Sequence, residues 1–570
     1  MIDQEIEKRI QRWLEGPFDP AMKEEIRRMQ KSDPKQLSDA FFKDLAFGTG
    51  GMRGVMGVGT NRMNRYTIGA ATQGLANYLK KQPGKNHSVF IGYDVRHHSR
   101  EFAEETARVL AGNGIRVYLA KEICPTPLTS FACRHFGCSA AVMITASHNP
   151  PEYNGYKVYW KDGAQVVPPH DVGIMKEAAK IQSPDQIKMG ESFIEVGGEL
   201  DEAYLAELKK LQLHPELSGS PLKILYSNLH GTGIRLVPKA LKEWGYTHLS
   251  FVEKQKPLDG NFTYAHSPNP ENEKALKLGM EQLKEGIFIA TDPDADRVGV
   301  VALDRGKPVR LTGNQTACLC LHHICTSLTT KGEFPPNAAF IKTIVTTELF
   351  KVIAESFGGK CIDVLTGFKY IGEKIGIWEK SFDSYQFIFG AEESYGSLFG
   401  TFVRDKDAIS ASCLVAETAA LAMKQNLSLI DRLYQIYRKY GIHRESLTDL
   451  AFSETPEGMR QMESLMNHLR GNPPSHIDGQ KIITIEDYQL RKATHLITGK
   501  THSLDLPESD VLRFWLEDGS KFVIRPSGTE PKVKIYAEVM EKKNTDIDRA
   551  IASCDKRLIK LVAAFQKECL

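Results

Sequence analysis

Three aspartates alternate in the segment TDPDADR: Asp292, Asp294 and Asp296. Carboxylates at every second position of an extended or turning backbone can converge on one hard cation, and oxygen ligands suit Mg²⁺ or Mn²⁺. A calcium EF-hand needs glycine at the sixth loop position and glutamate at the twelfth, where this chain has Arg297 and Leu303. Apolar runs end directly before the loop and resume directly after it, which pins the loop at a sheet edge. An acidic surface turn needs no such frame. Three carboxylates leave coordination positions open for water or a phosphate oxygen. Arg297 is placed to contact the same anion.

Ser147 lies in TASHNP, with His148 beside it and the turn formers Asn149 and Pro150 after it. A hydroxyl displayed on such a loop can be a covalent nucleophile or a phosphoryl carrier; the plain alternative is a turn or cap serine. No G-x-S-x-G elbow surrounds it, which argues against an acyl-transfer hydrolase. In RPSGTEP, Arg525, Ser527, Gly528 and Thr529 offer a guanidinium, two hydroxyls and permissive backbone. That set suits a bound phosphate, against a plain hairpin turn. The glycine-rich GTGGMRGVMGVG (48–59) contains neither a Walker nor a Rossmann signature, and Arg53 in this segment, read as a mobile loop, could reach an anion. Cys318, His322 and Cys325 share a helical face in CLCLHHIC, but a fourth zinc ligand is missing and the neighbours are apolar, which favours a buried helix.

The elements that must hold these residues follow from hydrophobic periodicity. Short apolar runs at 89–91, 116–119 and Ala140–Ile144, with an amphipathic stretch at 101–111, give a βαβ rhythm. The rhythm restarts at 222–226, 249–252, 287–290 and 298–302, and again at 339–344, 361–364 and 385–389. The tail differs: runs at 511–516, 521–524 and 532–538 read as an antiparallel meander before a last amphipathic helix. The first forty or so residues read as helical, punctuated by Pro20 and Pro34. Four strands each open into a polar loop, at Thr145, Thr291, Gly390 and Arg525, and open α/β sheets place ligands at strand carboxyl ends.

Composition sets the outer bounds. A chain of 570 residues holds about four domains at roughly 150 residues each. Hydrophobic residues at 41% and charged residues at 25% exclude a disordered chain or a fibre. Lys plus Arg (73) nearly equals Asp plus Glu (71), so no large nucleic-acid footprint or polybasic membrane surface is expected. Ten cysteines without a repeated spacing suit free thiols in a reducing cytosol. The start MIDQEIEKRIQRW lacks a signal-peptide core, and no run approaches the ~18 apolar residues of a membrane span. The expectation is a cytoplasmic protein without nucleic-acid or membrane partners. Its oligomeric state is not legible.

In motif order and spacing, the chain from about Leu45 to Tyr536 resembles the α-D-phosphohexomutase superfamily, the phosphoglucomutase/phosphomannomutase family. TASHNPPEYNGYK (145–157), with GTGGMRG (48–54) upstream and TGFKYIGEKI (366–375) downstream, is most similar to the bacterial phosphoglucomutase branch, which includes phosphopentomutase-like relatives. The resemblance implies an α/β fold of four domains around a central cleft: three similar α/β domains with mixed sheets and a C-terminal α+β domain. The expected division is a phosphoserine-bearing domain (1–213), a metal-binding domain (214–330), a sugar-binding domain (331–446) and a phosphate-binding domain (447–570). It implies that Ser147 is the phosphoserine and that Asp292, Asp294 and Asp296 bind Mg²⁺ together with the phosphate on Ser147. Arg53, His148, Lys157 and Arg297 match positions near the transferring phosphoryl group, with Lys157 or His148 as proton acceptor or electrostatic partner. Glu392 and Ser394 match a loop that grips sugar hydroxyls, Thr366, Gly367 and Phe368 a second sugar-proximal loop, and Lys406 a lysine near the substrate. Arg525, Ser527, Gly528 and Thr529 match the site of the non-transferring phosphate.

The implied activity is interconversion of glucose 1-phosphate and glucose 6-phosphate, with glucose 1,6-bisphosphate as intermediate and activator. GAEESYG (390–396) resembles the glucose-type loop, while mannose, pentose and glucosamine phosphates are alternatives within the family. A metal-dependent sugar-phosphate phosphatase and a non-catalytic sugar-phosphate binder are alternatives of other classes. Pro151 and Glu152 stand where mammalian phosphoglucomutases have glycines, a departure that bears on fine substrate preference.

Overall fold

The computed structural model describes residues 4–45, 47–48, 51–382, 384–453, 456–527, 532–542 and 546–569. It divides into two compact units. Met1–Thr316 with Gly367–Ser428 form the first, and Ala317–Thr366 with Leu429–Leu570 the second.

The first unit begins with three helices, Gln4–Glu15, Pro20–Ser32 and Pro34–Phe41. The two prolines start helices rather than merely interrupting one. Each occupies the first helical position, where its missing N–H costs nothing, and each follows an aspartate cap: Asp19 accepts from Ala21 N and Asp33 from Gln36 N. Ile10, Trp13, Ile26, Leu37 and Phe41 form their shared core, with Trp13 stacked on Phe18 at 4.3 Å.

A mixed sheet follows. Ser88–Tyr93 is central, pairing in parallel with Arg116–Ala120 on one side and with Ala140–Ile144 on the other. Ala140–Ile144 then pairs antiparallel with Tyr153–Trp160, which pairs antiparallel with Gly51–Val55. Every residue of Ala140–Ile144 is buried, as expected of a strand covered on both faces. Arg53 therefore lies on a β-strand, opposite Gly155, and not in a mobile loop. Glycines of the segment that suggested looseness serve close packing instead: a Cβ on Gly51 would meet Tyr156 O at 2.6 Å, and one on Gly59 Ala40 O at 2.3 Å.

The second sheet runs Lys307–Leu311, Val298–Asp304, Ile287–Thr291, Ile224–Ser227, Leu249–Phe251. Ile287–Thr291 is parallel to Ile224–Ser227 and antiparallel to Val298–Asp304. This reversal places the aspartate loop at the turn between two buried strands. A third α/β domain supplies Gln386–Ala391 with Ser397–Phe399, antiparallel, to the first unit, and Ala338–Thr343 with Lys360–Val364, parallel, to the second.

The second unit also holds an antiparallel sheet built on Ile442–Ala451, Lys532–Glu541, Lys521–Pro526, Leu512–Leu516 and Gln480–Asp487. The helix Ile547–Glu568, capped by Asp546, lays Phe565 on Phe522 at 4.7 Å. The chain thus has three α/β domains with mixed sheets and a C-terminal domain with an antiparallel sheet. The CLCLHHIC segment lies inside the helix Gly313–Lys331, its cysteines buried. No helix among the described residues is long and apolar enough to cross a membrane.

Candidate active site

Two strand ends meet in the first unit. Ala140–Ile144 delivers Ser147, and Ile287–Thr291 delivers Asp292, Asp294 and Asp296. Ser147 Oγ donates to Asp292 Oδ2 at 2.9 Å and lies 3.1 Å from His148 Nδ1. The three aspartates are buried, and their ligand atoms lie within 4.8 Å of one another. Asp292 Oδ1 shapes the loop by accepting from Asp296 N and Arg297 N. Thr126 Oγ1 donates to Asp294 Oδ2 at 2.7 Å.

Lysines answer part of this charge. The strand Tyr153–Trp160 sets Lys157 opposite Met143, and its Nζ is 2.9 Å from Asp294 Oδ2 and 3.3 Å from Asp296 Oδ2. Lys406 Nζ lies 3.1 Å from Asp296 and 3.0 Å from Asp405. Yet Asp294 Oδ1 and Asp296 Oδ1 are buried with no hydrogen-bond partner. A buried carboxylate oxygen without a donor costs free energy comparable to a lost charged hydrogen bond. All-oxygen donors with unpartnered atoms converging at this spacing fit a hard divalent cation.

The electrostatics agree. Burial, then the charges of Asp294 and Asp296, push the Asp292 carboxyl well above its usual range. Burial would raise Asp296 too, but Lys406, Lys157 and Arg297 outweigh it and hold it below. Burial would lower Lys157 and Lys406, and the neighbouring aspartates reverse this, keeping both as ammonium groups. Desolvation, with the charges of Arg297 and Arg53, pushes His148 well below 6.5, so its ring is neutral near pH 7. Exposed Arg53 is thus close enough for its charge to act here. Arg297 donates to Glu271 at 2.8 Å.

The sugar-loop residues fall partly together. Glu392 is buried and accepts from Gly367 N at 2.9 Å, with burial raising its pKa against the charges of Lys406 and Arg297. Phe368 opens the helix Phe368–Trp378 and lies under Lys406 Nζ, 5.3 Å from the ring centroid. Ser394 is half-buried in the turn before Ser397–Phe399. The remaining expected residues belong to the second unit. Thr366 Oγ1 is buried without a hydrogen-bond partner, Arg525 lies near the end of the strand Lys521–Pro526, and Ser527 N donates to Lys532 O. Gly528 and Thr529 lie outside the described residues.

Sequence reading missed Thr126, Asp405, Asp94 and Arg96. The signal for the last two was present: Ser88–Tyr93 is also a buried strand opening into a polar segment, Asp94-Val95-Arg96.

Comparison with known proteins places this geometry. Residues 44–185 match phosphoglucomutase/phosphomannomutase alpha/beta/alpha domain I, 202–306 domain II, 312–440 domain III and 480–552 the C-terminal domain. The chain belongs to the phosphoglucomutase/phosphomannomutase family. Among relatives in this family, a phosphoglucomutase of Staphylococcus haemolyticus is 38% identical over 507 residues, covering 87% of this chain and 90% of that protein. One of Staphylococcus aureus (strain MRSA252) is 37% identical, covering 90% and 92%. A solved structure of a putative phosphomannomutase from Thermus thermophilus shares the fold at a TM-score of 0.67 and 23% identity, covering 91% of this chain and 99% of that one. The family domains begin at residue 44, so the three N-terminal helices precede them.

Proposed function

We propose that this member of the family interconverts α-D-glucose 1-phosphate and glucose 6-phosphate, with Ser147 as the phosphoryl carrier and glucose 1,6-bisphosphate as the intermediate. The observation that carries the reading is the 2.9 Å hydrogen bond from Ser147 Oγ to a triad in which Asp294 Oδ1 and Asp296 Oδ1 are buried without partners. The Staphylococcus phosphoglucomutases, similar over most of their length, support the choice of sugar. In this reading residues 1–213 bear the phosphoserine, 214–330 the metal ligands, 331–446 the sugar loops and 447–570 the phosphate loop.

Asp292, Asp294, Asp296 and the phosphate on Ser147 would hold Mg²⁺, which would supply positive charge to the transferring phosphoryl group. A free sugar hydroxyl attacks the phosphorus of phospho-Ser147. The bond to Ser147 Oγ breaks, and the hydroxyl proton passes by way of the neutral His148 ring, 3.1 Å from Ser147 Oγ, to the freed serine oxygen, with the Lys157 ammonium as electrostatic partner. Arg53 and Arg297 stabilise the charge on the equatorial oxygens. Thr366, Gly367, Phe368, Glu392, Ser394 and Lys406 orient the sugar, while Arg525, Ser527, Gly528 and Thr529 hold the phosphate that is not moving. The bisphosphate then turns over and returns its other phosphate to Ser147. Water must be kept from the phosphoserine throughout, and the burial of Ser147 serves that need. The ten cysteines are free and buried, which supports a cytoplasmic setting.

The test is turnover of glucose 1-phosphate with Mg²⁺ and trace glucose 1,6-bisphosphate, read through a coupled assay for glucose 6-phosphate. Peptide mass spectrometry runs alongside, before and after incubation with the bisphosphate. The expected result is turnover together with a phosphate that comes and goes on Ser147. Faster turnover of ribose 1-phosphate overturns the choice of sugar. Release of inorganic phosphate at the rate of sugar-phosphate loss overturns the mutase.

A further inference from the structure

The steps above leave unused a buried guanidinium directly beneath the serine loop. Both side chains of the Asp94–Arg96 pair are 0% exposed. Arg96 Nη2 donates to the carbonyls of Ser147 (2.6 Å) and Asn149 (2.5 Å), and Nη1 to those of Pro150 (2.7 Å) and Tyr153 (3.0 Å). Four backbone carbonyls of one loop thus converge on one side chain. Asp94 lies 3.3 Å from Arg96 Nε and accepts from Thr145 Oγ1 at 2.7 Å, while Thr145 Oγ1 accepts from Ser147 N at 2.8 Å. Ser147 sits at φ 51°, in the left-handed region that a side-chain-bearing residue holds only where its surroundings over-determine it. The loop contains no glycine to relax that demand.

The other face of the guanidinium meets Phe262, fully buried, its ring centroid 4.9 Å from the guanidinium carbon. Phe262 belongs to the domain that carries Asp292. Its neighbour Asn261 contacts His97 at 2.8 Å. Arg96 therefore stands between the nucleophile's loop and the body that holds the metal ligands.

We propose that Arg96 is a positioning residue: its planar fork fixes the left-handed backbone of the Ser147 loop and, through Phe262, sets that loop's distance from Asp292. Resting on the phosphoserine reading above, it assigns a function to residues that touch no reacting atom. Arginine suits the task because its donors are rigidly arranged in one plane and the same plane can stack on an aromatic face. A lysine keeps the charge but offers neither.

The test uses the full-length protein with Arg96→Lys, and independently Phe262→Leu. Three quantities are read: kcat and KM for glucose 1-phosphate, the single-turnover rate of Ser147 phosphorylation by glucose 1,6-bisphosphate, and the melting temperature. A displacement of the nucleophile by an ångström can cost on the order of 10²-fold in rate. Arg96→Lys is expected to lower kcat and the phosphorylation rate together by about that factor, with KM within about threefold. Phe262→Leu is expected to lower both by about three- to tenfold in the same pattern. A kcat within about twofold of wild type in Arg96→Lys overturns the proposal, as does a loss fully matched by the unfolded fraction. Where Arg96→Lys does not fold, an unchanged kcat in Phe262→Leu overturns it. Failure of the wild-type protein to phosphorylate Ser147 instead strikes the underlying reading and is seen before any variant is made.

Discussion

The Asp292–Asp294–Asp296 triad in the first unit and the ion network around Lys342, Glu348 and Lys521 in the second both bury many charges, and they resolve them oppositely. In the network, Lys342 lies 2.9 Å from Glu348 and 3.0 Å from Asp363, and Lys521 lies 2.6 Å from Glu348 and 3.2 Å from Glu538. Arg513 joins Asp363 at 2.9 Å to Glu486 at 2.6 Å. Charges alternate, and none of these carboxylates has a buried oxygen without a hydrogen-bond partner. In the triad, like charges adjoin and two oxygens have none. Burial opposes the charged form in both places. Cations pull Glu348 below its ordinary pKa, whereas its fellow aspartates push Asp292 above. A satisfied network holds strands together; an unsatisfied one is shaped for something it must bind.

The largest expected effect tests the triad. Asp294→Asn removes one of three adjoining negative charges and should lower turnover about 10³-fold or more. The melting temperature without added metal should fall less than in a network variant, because relief of the repulsion within the triad offsets the weakened pair with Lys157. A melting-temperature loss as large as that of a network variant would break the contrast.

The network predicts the reverse. Glu348→Gln leaves Lys342 and Lys521 short of a shared counter-charge, and breaking a buried pair costs about 3–5 kcal/mol. Urea unfolding of the second unit should shift accordingly, while turnover per folded molecule stays within about twofold of wild type. Loss of turnover without loss of stability would place Glu348 in the chemistry instead.

The contrast also explains what the sequence made legible. Local signals carried the sheets: Ala140–Ile144 and Ile287–Thr291 are short apolar runs, and each opens into a loop whose chemistry shows in its residue types. The meeting of Ser147 with Asp292 agrees with what the family resemblance led one to expect. Arg53 was misplaced because its strand is glycine-rich and is held by Tyr153–Trp160, far along the chain. The strand before Arg96 marked its place but not its task, because its partners are carbonyls, which no residue type announces. The network was invisible for a related reason. Lys342 sits inside AAFIKT, and only the carboxylates of Glu348 and Asp363, brought to it by the fold, make its burial tolerable. Much of the segment between 448 and 500 carried no motif, yet it supplies Gln480–Asp487 and with it Glu486.

The smallest expected effect is a pH dependence that separates the two clusters further. Burial alone would raise Glu348, but Lys342 and Lys521 hold it far below 4.5. In the unfolded chain a glutamate titrates near about 4.3. A carboxyl depressed by folding leaves the unfolded state binding more protons as pH falls, so its contribution is complete above about pH 5.5 and is lost progressively below. Lys342 is raised by Asp363 and Glu348 against burial, so its own contribution is lost only at strongly alkaline pH. Wild type should therefore lose stability relative to Glu348→Gln on acidification, the gap narrowing by roughly half a kcal/mol between pH 7 and pH 4. Urea titrations at both pH values measure it. Asp363 and Glu538, also depressed, keep some slope in the variant, so the difference between the two curves is the quantity to read. A gap that does not change with pH would mean that Glu348 takes up its proton in the folded network as readily as in the unfolded chain, and the two clusters would then be alike.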